Sequence, residues 1–300
     1  MQELRDVVGA MRALAGMRLQ EAEQALPGIR RYAAAMAAAV QSAWQLPAAG
    51  AAADGRSGTA AAGRRALILC TSEHGFVGGF NERLLDAATA GLQPGDELYV
   101  LGSRGAVLGL ERGCALAWTH PMATRLAGVP EAVNRLSEKL LAAIGGGRIV
   151  QIDALFTAAH PAAQIQRRRL LPLETKPPTS SAGVPPLHNL PAQTLLEGLA
   201  AEYLFARLTE ATVESLAGEN AARFAAMDSA RDNVCRQLTS LRESAHQLRQ
   251  TEITEELLDL VTGQEALRRR SVAGGEDGAQ GANEAGNVTR SVAPRGSVGS

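Results

Sequence analysis

Apolar residues recur at steps of three and four along the first part of the chain. The residues of this stripe are Leu4, Val7, Met11, Leu14, Ala22, Ala25, Ile29, Tyr32 and Met36. The spacing predicts an amphipathic helix over residues 1–46. Pro27 lies inside the pattern, and it is expected to kink the helix or break it locally because proline lacks a backbone N–H.

A different pattern, short apolar runs alternating with amphipathic segments, occupies residues 64–175. The predicted strands are Ala66–Cys70, Glu97–Leu101, Arg148–Phe156 and, less regular, Leu170–Leu173; the predicted helices are Asn81–Ala90 and Pro130–Ile144. Strands that alternate with helices favour a mainly parallel sheet with helices on its faces. We therefore expect a small, doubly wound, Rossmann-like α/β domain here.

The segment 190–270 is expected to be one long helix, because it has no proline after Pro191 and few glycines. Its apolar positions are Met227, Ala230, Val234, Leu238, Leu241, Ala245, Leu248, Ile253, Leu257 and Leu260. About 80 helical residues would extend on the order of 120 Å. Such a helix needs a partner along its apolar seam, and the helix at 1–46 can cover only part of it. The rest of the seam is expected to face another protein.

Three segments between and after these elements read as irregular. Residues 47–63 are rich in Ala, Gly, Asp and Ser and are expected to form a linker. Residues 176–189 contain several prolines and are expected to form an exposed loop. Residues 271–300 lack periodicity and are expected to form a disordered tail.

The composition argues against several classes of protein, namely nucleic-acid-binding, disulfide-rich, zinc-binding and membrane-spanning proteins. The formal net charge is −1 and only 3% of residues are aromatic, so no global basic field points to nucleic acid. Cys70, Cys114 and Cys235 are scattered, which argues against a disulfide framework or zinc site and fits a reducing compartment. No run reaches the roughly 18 apolar residues of a membrane span, and the first residues lack a signal-peptide pattern. A membrane role is expected only through a partner.

The turn after the first predicted strand is the strongest candidate for a binding loop. It contains Gly75, Gly78 and Gly79, in the order strand, turn, helix that phosphate-binding loops use. The spacing is neither G-x-G-x-x-G nor the P-loop pattern, so we interpret these glycines as structural. Ser72 and His74 lie two residues apart and do not form a triad. No catalytic residue, metal ligand or cofactor is predicted.

Two charged groups are expected to be solvated rather than catalytic. One is the basic run Arg167–Arg169, interpreted as an exposed strand edge. The other is the set of carboxylates Glu252, Glu255, Glu256 and Asp259 on the long helix.

The chain resembles the gamma subunits of F-type ATP synthases. The run from Glu219 to Asn233 is similar to the family's E-x-x-A-R-x-x-A-M-x-x-A-x-x-N, and Arg249–Leu257 is similar to R-Q-x-x-I-T-x-E-L. Near the other end, Ala10-Met11-Arg12 stands where the family has A-M-K. The Thr71–Asn81 turn resembles S-D-R-G-x-x-G-G-x-N. Two differences indicate a divergent subtype. Arg12 replaces the family's Lys, and the family's P-Y-A reads Arg31-Tyr32-Ala33 here, with the proline displaced to Pro27.

The resemblance implies a central rotor stalk without catalytic activity of its own. The N- and C-terminal helices would form an antiparallel coiled coil inside a ring of alpha and beta subunits. The α/β domain would be a foot resting on the epsilon subunit and the c-ring, at the cytoplasmic face of a bacterial inner membrane. The resemblance also implies contacts with partner subunits. The residues involved would be Met11, Arg12, Arg223, Arg249, Gln250, Thr254 and Asp259.

Two other interpretations explain part of the sequence. A nucleotide-binding α/β enzyme would use the Thr71–Asn81 turn, but no ribose-binding acidic residue is evident after the second strand. An unrelated coiled-coil scaffold would explain the helices, but it treats the ordered series of matches as accident.

Overall fold

A computed structural model describes residues 2–44, 46, 63–159, 164–173 and 187–276. The chain divides into two compact units, residues 1–235 and residues 236–300. In chain order, the elements are α1 (Gln2–Trp44), β1 (Arg64–Cys70), α2 (Phe80–Ala90), β2 (Glu97–Leu101), α3 (Ser103–Glu111), β3 (Leu116–His120), a 3₁₀ turn (Leu126–Gly128), α4 (Val129–Gly145), β4 (Ile149–Ala158), β5 (Gln164–Leu171) and α5 (Ala192–Glu276).

The five strands form one sheet in the order β3-β2-β1-β4-β5. Strand β1 lies at the centre and runs parallel to both neighbours, with Ile68 opposite Tyr99 on β2 and Ala154 on β4. Strand β5 pairs antiparallel with β4 and forms one edge. The predicted α/β fold with two long helices is therefore confirmed.

Side chains of β1 alternate between two apolar layers, as expected for a strand buried on both faces. Ala66, Ile68 and Cys70 pack in the layer formed with α1, α4 and α5. Leu67 and Leu69 pack against α2 and α3 on the opposite face. The sheet is thus covered on both sides, and α5 forms part of one cover.

Helices α1 and α5 pack antiparallel to each other. Arg12 contacts Asp228 near one end, Arg30 contacts Glu214 further along, and Ala43 packs in a cluster with Ala192 at the other end. The buried apolar residues of α1 are Val8, Ala15, Ala22, Leu26, Ala33, Val40 and Ala43. Their steps of seven, interrupted once by four and ended by three, are the heptad spacing of a left-handed coiled coil.

The apolar stripe predicted on α1 coincides only in part with the residues that are buried. Leu4 is 48% exposed, Val7 56% and Leu14 43%, and the buried seam is built mostly from alanine and valine. Small side chains allow the helix axes to approach closely, so the larger residues are left on the outer face. The helix also continues without interruption through Pro27, which lies on the exposed side. The predicted local break is therefore wrong, since packing on either side of Pro27 holds the helix together.

Ten consecutive residues of α5, from 211 to 220, are buried whichever way they point. This segment passes between α1 and the sheet. Ser215 Oγ donates a hydrogen bond of 2.6 Å to the carbonyl oxygen of Cys70, and Gly218 lies directly against the carbonyl of Thr157. Burial raises the pKa of the Cys70 thiol to about 12, which keeps this side chain protonated and unreactive.

The second unit contains the end of α5. Side chains from 239 to 270 are exposed, including those of Leu241, Leu248, Ile253, Leu257, Leu258, Leu260, Val261 and Leu267. Helix α5 continues to Glu276, six residues beyond the predicted end. The predicted tail is therefore wrong for residues 271–276, and its remainder lies outside the described residues.

The structure also corrects the α/β domain. Helix α3 and strand β3 were not expected from the sequence, and β5 begins at Gln164 rather than Leu170. The linker predicted at 47–63 and the loop predicted at 176–189 lie outside the described residues, except for Gly63 and residues 187–189. In the part of the chain that is described, no helix has the apolar length needed to cross a bilayer.

Candidate functional site

The turn between β1 and α2 is held by hydrogen bonds from its own polar residues. Asn81 accepts a hydrogen bond of 3.0 Å from the backbone N–H of Ser72 and donates one of 2.8 Å to Ser72 Oγ. Among the three glycines, Gly78 has a positive φ of 56°. A Cβ would have room at Gly75 and Gly79, so the structural requirement for glycine is clear only at Gly78.

Phe76, at the tip of this turn, combines exposure with an unusual backbone conformation. Its φ is 62° and its side chain is 67% exposed. Bulky residues rarely adopt this left-handed conformation. Beside it, Met11, Leu14 and Arg18 of α1 help to line a groove of about 470 Å³. The turn therefore presents an apolar ring next to α1 and α5.

Glu73 follows β1, and its carboxylate lies at the N-terminus of α3 rather than at that of α2. Its carboxylate accepts hydrogen bonds from the Ser103 backbone N–H (3.0 Å) and Ser103 Oγ (2.7 Å) at the start of α3. It also accepts one of 2.8 Å from the Met122 N–H, after β3. Helix N-termini favour anions, and here the anion is the protein's own side chain.

The pKa of the Glu73 carboxyl reflects that arrangement. Partial burial raises it, but the hydrogen bonds from Ser103 and Met122, together with the nearby His74, outweigh burial and hold the pKa below its usual value. Glu73 is therefore a carboxylate at neutral pH. Its charge is used to join the ends of β1, β2 and β3.

Arg223 connects the same turn to α5. Its Nη2 lies 2.6 Å from Glu219 Oε1, and the guanidinium is 3.4 Å from the carbonyl oxygens of His74 and Gly75. Burial raises the pKa of Glu219, while Arg223 opposes that rise. Both side chains are buried within this chain, so the predicted partner contact of Arg223 stays a prediction.

Met11 and Arg12 lie on α1 beside α5. Arg12 Nε is 2.7 Å from Asp228 Oδ1, and its guanidinium carbon lies 4.5 Å from the centre of the Phe224 ring. Both residues are half-buried. Arg12 therefore joins the two helices and still leaves part of its side chain accessible.

The four remaining predicted contact residues lie on the exposed part of α5. Gln250 and Thr254 are one helical turn apart on one face, and Thr254 Oγ1 donates a hydrogen bond of 2.7 Å to the Gln250 carbonyl. Arg249 and Asp259 point in other directions at 3.6 residues per turn. These residues therefore form a belt around the helix rather than one patch.

The basic run Arg167–Arg169 does not behave as a solvated edge. Arg167 Nη2 lies 2.6 Å from the buried carboxylate of Asp153 on the neighbouring strand. Arg168 reaches Glu210 and Glu214 of α5. The prediction of a strand edge is confirmed, but the prediction of solvation is wrong for Arg168, because buried acids on α5 attract it. Sequence spacing gave no sign of these partners.

Glu73 was also missed by the sequence analysis, since its importance depends on α3 and β3. The only signal was an acidic residue three positions after the end of a buried strand. Within the described residues, no group of three or more His, Cys, Asp or Glu side chains could hold a metal ion.

Comparison with known proteins identifies the family to which this chain belongs. A family model described as ATP synthase matches residues 1–267. A gamma chain of ATP synthase from Phenylobacterium zucineum is 28% identical, with 87% of this chain and 93% of the relative covered. One from Streptomyces avermitilis is 31% identical, with 68% and 72% covered.

Two solved structures share the fold. The central stalk and c-ring structure of Tetrahymena thermophila mitochondrial ATP synthase contains a chain with a TM-score of 0.52 at 17% identity, covering 75% of this chain and 99% of that one. A chain in the Euglena gracilis mitochondrial ATP synthase gives 0.54 at 11% identity, covering 88% and 96%. The region matched by the family model contains α1, the α/β domain and α5 as far as residue 267.

Proposed function

Because this chain belongs to the ATP synthase gamma-chain family, we propose that α1 and α5 turn as a shaft inside a ring of alpha and beta subunits. The chain is the non-catalytic central stalk; ATP chemistry takes place on partner subunits. The observation that carries the proposal is the family match over residues 1–267, which includes α1, the α/β domain and α5 as far as residue 267.

Stiffness and asymmetry together would let this shaft act on its partners. A coiled coil that turns inside a ring presents a different face to each catalytic subunit. If a face favours the closed or the open state of that subunit, rotation changes nucleotide affinity in sequence. The exposed apolar residues of α5 between Leu241 and Leu267 fit a surface that turns within an apolar sleeve.

The polar residues on the shaft are proposed to make the specific contacts with the ring. Arg249, Gln250, Thr254 and Asp259 are exposed around the second unit of α5. Because these side chains point in several directions, the belt can contact more than one subunit at a time, and rotation brings each residue to successive subunits. Met11 and Arg12 are proposed to contribute from α1, where their side chains are partly accessible.

The α/β domain is proposed to rest on the epsilon subunit and the c-ring, so that ion flow turns the foot. The curated relatives described above are bacterial, which supports a location at the cytoplasmic face of the inner membrane. The chain would meet the membrane only through the complex. No nucleic-acid partner is proposed, since the net charge is −1.

Reconstitution tests the proposal directly. This chain would be mixed with alpha and beta subunits from the same organism, and complex formation and ATP hydrolysis would be measured. We expect a stable complex whose activity requires the chain. Failure to associate, together with tight nucleotide binding by the isolated chain, would favour the enzyme alternative.

A further inference from the structure

A cluster of five charged side chains joins three elements: both shaft helices and the edge of the sheet. The cations are Arg30 on α1, Arg168 on β5 and Arg207 on α5; the carboxylates are Glu210 and Glu214 on α5. The carboxylate side chains are 6% and 3% exposed. This cluster lies away from the turn after β1 and from the predicted contact residues.

Arg168 is the member that brings the sheet into the cluster. Its Nη1 lies 3.1 Å from Glu210 Oε1, and its Nη2 lies 3.4 Å from Glu214 Oε1. The guanidinium carbon is 4.9 Å from the centre of the Phe156 ring on β4. One planar group therefore contacts two carboxylates on α5 and an aromatic ring on the sheet, which fixes its orientation.

The same carboxylates also bind α1. Arg30 Nη2 is 3.1 Å from Glu214 Oε1, the oxygen that Arg168 contacts. Arg207 Nη1 is 2.6 Å from Glu210 Oε2. In the described part of the chain, Glu210 and Glu214 thus connect α1, α5 and β5 through shared oxygens.

Directional contacts of this kind resist sliding in a way that apolar packing does not. Burial of apolar area is non-directional, so a helix can shift on a sheet with little change in the area removed from water. A shift of α5 along β5 would separate Arg168 from two buried carboxylates and leave charge uncompensated. The cluster therefore opposes movement of α5 relative to the edge of the sheet.

We propose that Arg168 is a positioning residue that transmits torque between the α/β domain and the two shaft helices. The inference rests on the rotor function proposed above. It assigns to an ion pair on β5 a role in coupling, distinct from the contacts between the shaft and the catalytic ring.

The test uses the assembled ATP synthase in phospholipid vesicles with Arg168→Met, which keeps side-chain volume and removes the charge. We expect ion-driven ATP synthesis to fall by about two- to thirty-fold, the range for loss of one contact in a coupling network. Hydrolysis by the complex with alpha and beta subunits alone should stay near the parent rate. Angular fluctuations of the foot around a shaft held in that ring should widen.

Arg168→Lys and Arg112→Gln serve as controls. The lysine variant retains the charge, so it should recover part of the synthesis rate. Arg112 forms an ion pair with Asp86 inside the α/β domain, so its removal should alter neither synthesis nor fluctuations. Unchanged synthesis and fluctuations in Arg168→Met would overturn the inference. Equal losses of synthesis and hydrolysis in both Arg168 variants would do the same, since they would indicate a structural role alone. If the parent chain fails to assemble, the rotor function itself is wrong.

Discussion

Arg223 and Glu219 form a buried ion pair one turn apart on α5, with 2.6 Å between Nη2 and Oε1. The same guanidinium faces the carbonyl oxygens of His74 and Gly75. A charged pair within the long helix thus holds the turn that follows the central strand. Arginine ion pairs therefore join the shaft and the α/β domain both here and at Arg168, in addition to the hydrogen bond between Ser215 and Cys70.

The contact between Gly218 and Thr157 predicts a loss of stability in Gly218→Ala. The added Cβ would overlap the Thr157 backbone carbonyl, which cannot rotate away as a side chain could. We expect a loss of about 1–3 kcal/mol in the free energy of unfolding, the usual effect of overpacking. Urea unfolding of the isolated chain measures it.

Gly198→Ala is the matched control in the same helix, because nothing lies within 4 Å of its Cβ position. It should gain about 0.5–1 kcal/mol, since alanine is the better helix former. Equal effects at the two positions would contradict the close approach of α5 to β4.

Substitutions at Phe76 and Gly78 should change the stability of the folded chain in opposite directions. Phe76→Gly removes a mostly exposed ring from a left-handed conformation, so we expect a gain of about 1 kcal/mol. Gly78→Ala places a Cβ at a φ of 56° and should lose a similar amount, although no atom lies within 4 Å. Thermal unfolding of both variants would show the difference; a loss in Phe76→Gly would mean that the ring stabilises the turn.

Glu73→Gln should destabilise the chain at neutral pH by about 0.5–1.5 kcal/mol, because the hydrogen bonds to its carboxylate are partly screened by solvent. The folded-state pKa of Glu73 is lowered, so its contribution is present above the unfolded-state pKa and is lost as pH falls through the folded value. The difference between parent and variant should therefore be constant above about pH 5 and shrink below it.

Urea unfolding across that pH range measures this difference. Glu82→Gln is the control, because Glu82 is an exposed carboxylate in the first turn of α2. A pH-independent difference for Glu73→Gln would show that the carboxylate is not what α3 and Met122 bind.

Arg249→Ala or Gln250→Ala should lower coupled turnover of the assembled complex while leaving assembly largely intact. Both side chains are exposed on α5, so their loss should not disturb folding of this chain. The assay compares ATP synthesis and hydrolysis with those of Arg242→Ala, which removes an exposed positive charge from the same unit. Turnover equal to the control would count against the proposed contacts.

Those elements that carry their own signal were predictable from sequence. The run Ala66–Cys70 is continuous and apolar, and it proved to be the central strand. The long proline-free segment proved to be α5. By contrast, α3 was not predicted, and it contains Gly105 and Gly109, which are poor helix formers. Glycine is required at position 105, because a Cβ there would overlap Thr71.

The remaining predictions from sequence are wrong where the structure of a segment depends on an element that packs against it. Strand β3 is an edge strand whose residues are alternately half-buried and exposed, and this weak pattern becomes a strand through pairing with β2. The stripe predicted on α1 included large side chains such as Leu4, Val7 and Leu14, which are exposed, whereas small residues such as Ala15 and Ala22 pack against α5. Arg168 looked like a solvated cation because its carboxylate partners are more than 40 positions away in sequence.

The all-round burial of residues 211–220 bears on how this sequence can change over generations. Helices on a protein surface usually retain an outer face on which mutations accumulate freely. This stretch has no such outer face, so each replacement must fit against α1 or the sheet. An inserted residue would rotate every later side chain about the helix axis, away from the residues that it packs against. Divergence should therefore be slowest in this decapeptide, and a variant that alters it should carry a compensating change in the element that it touches.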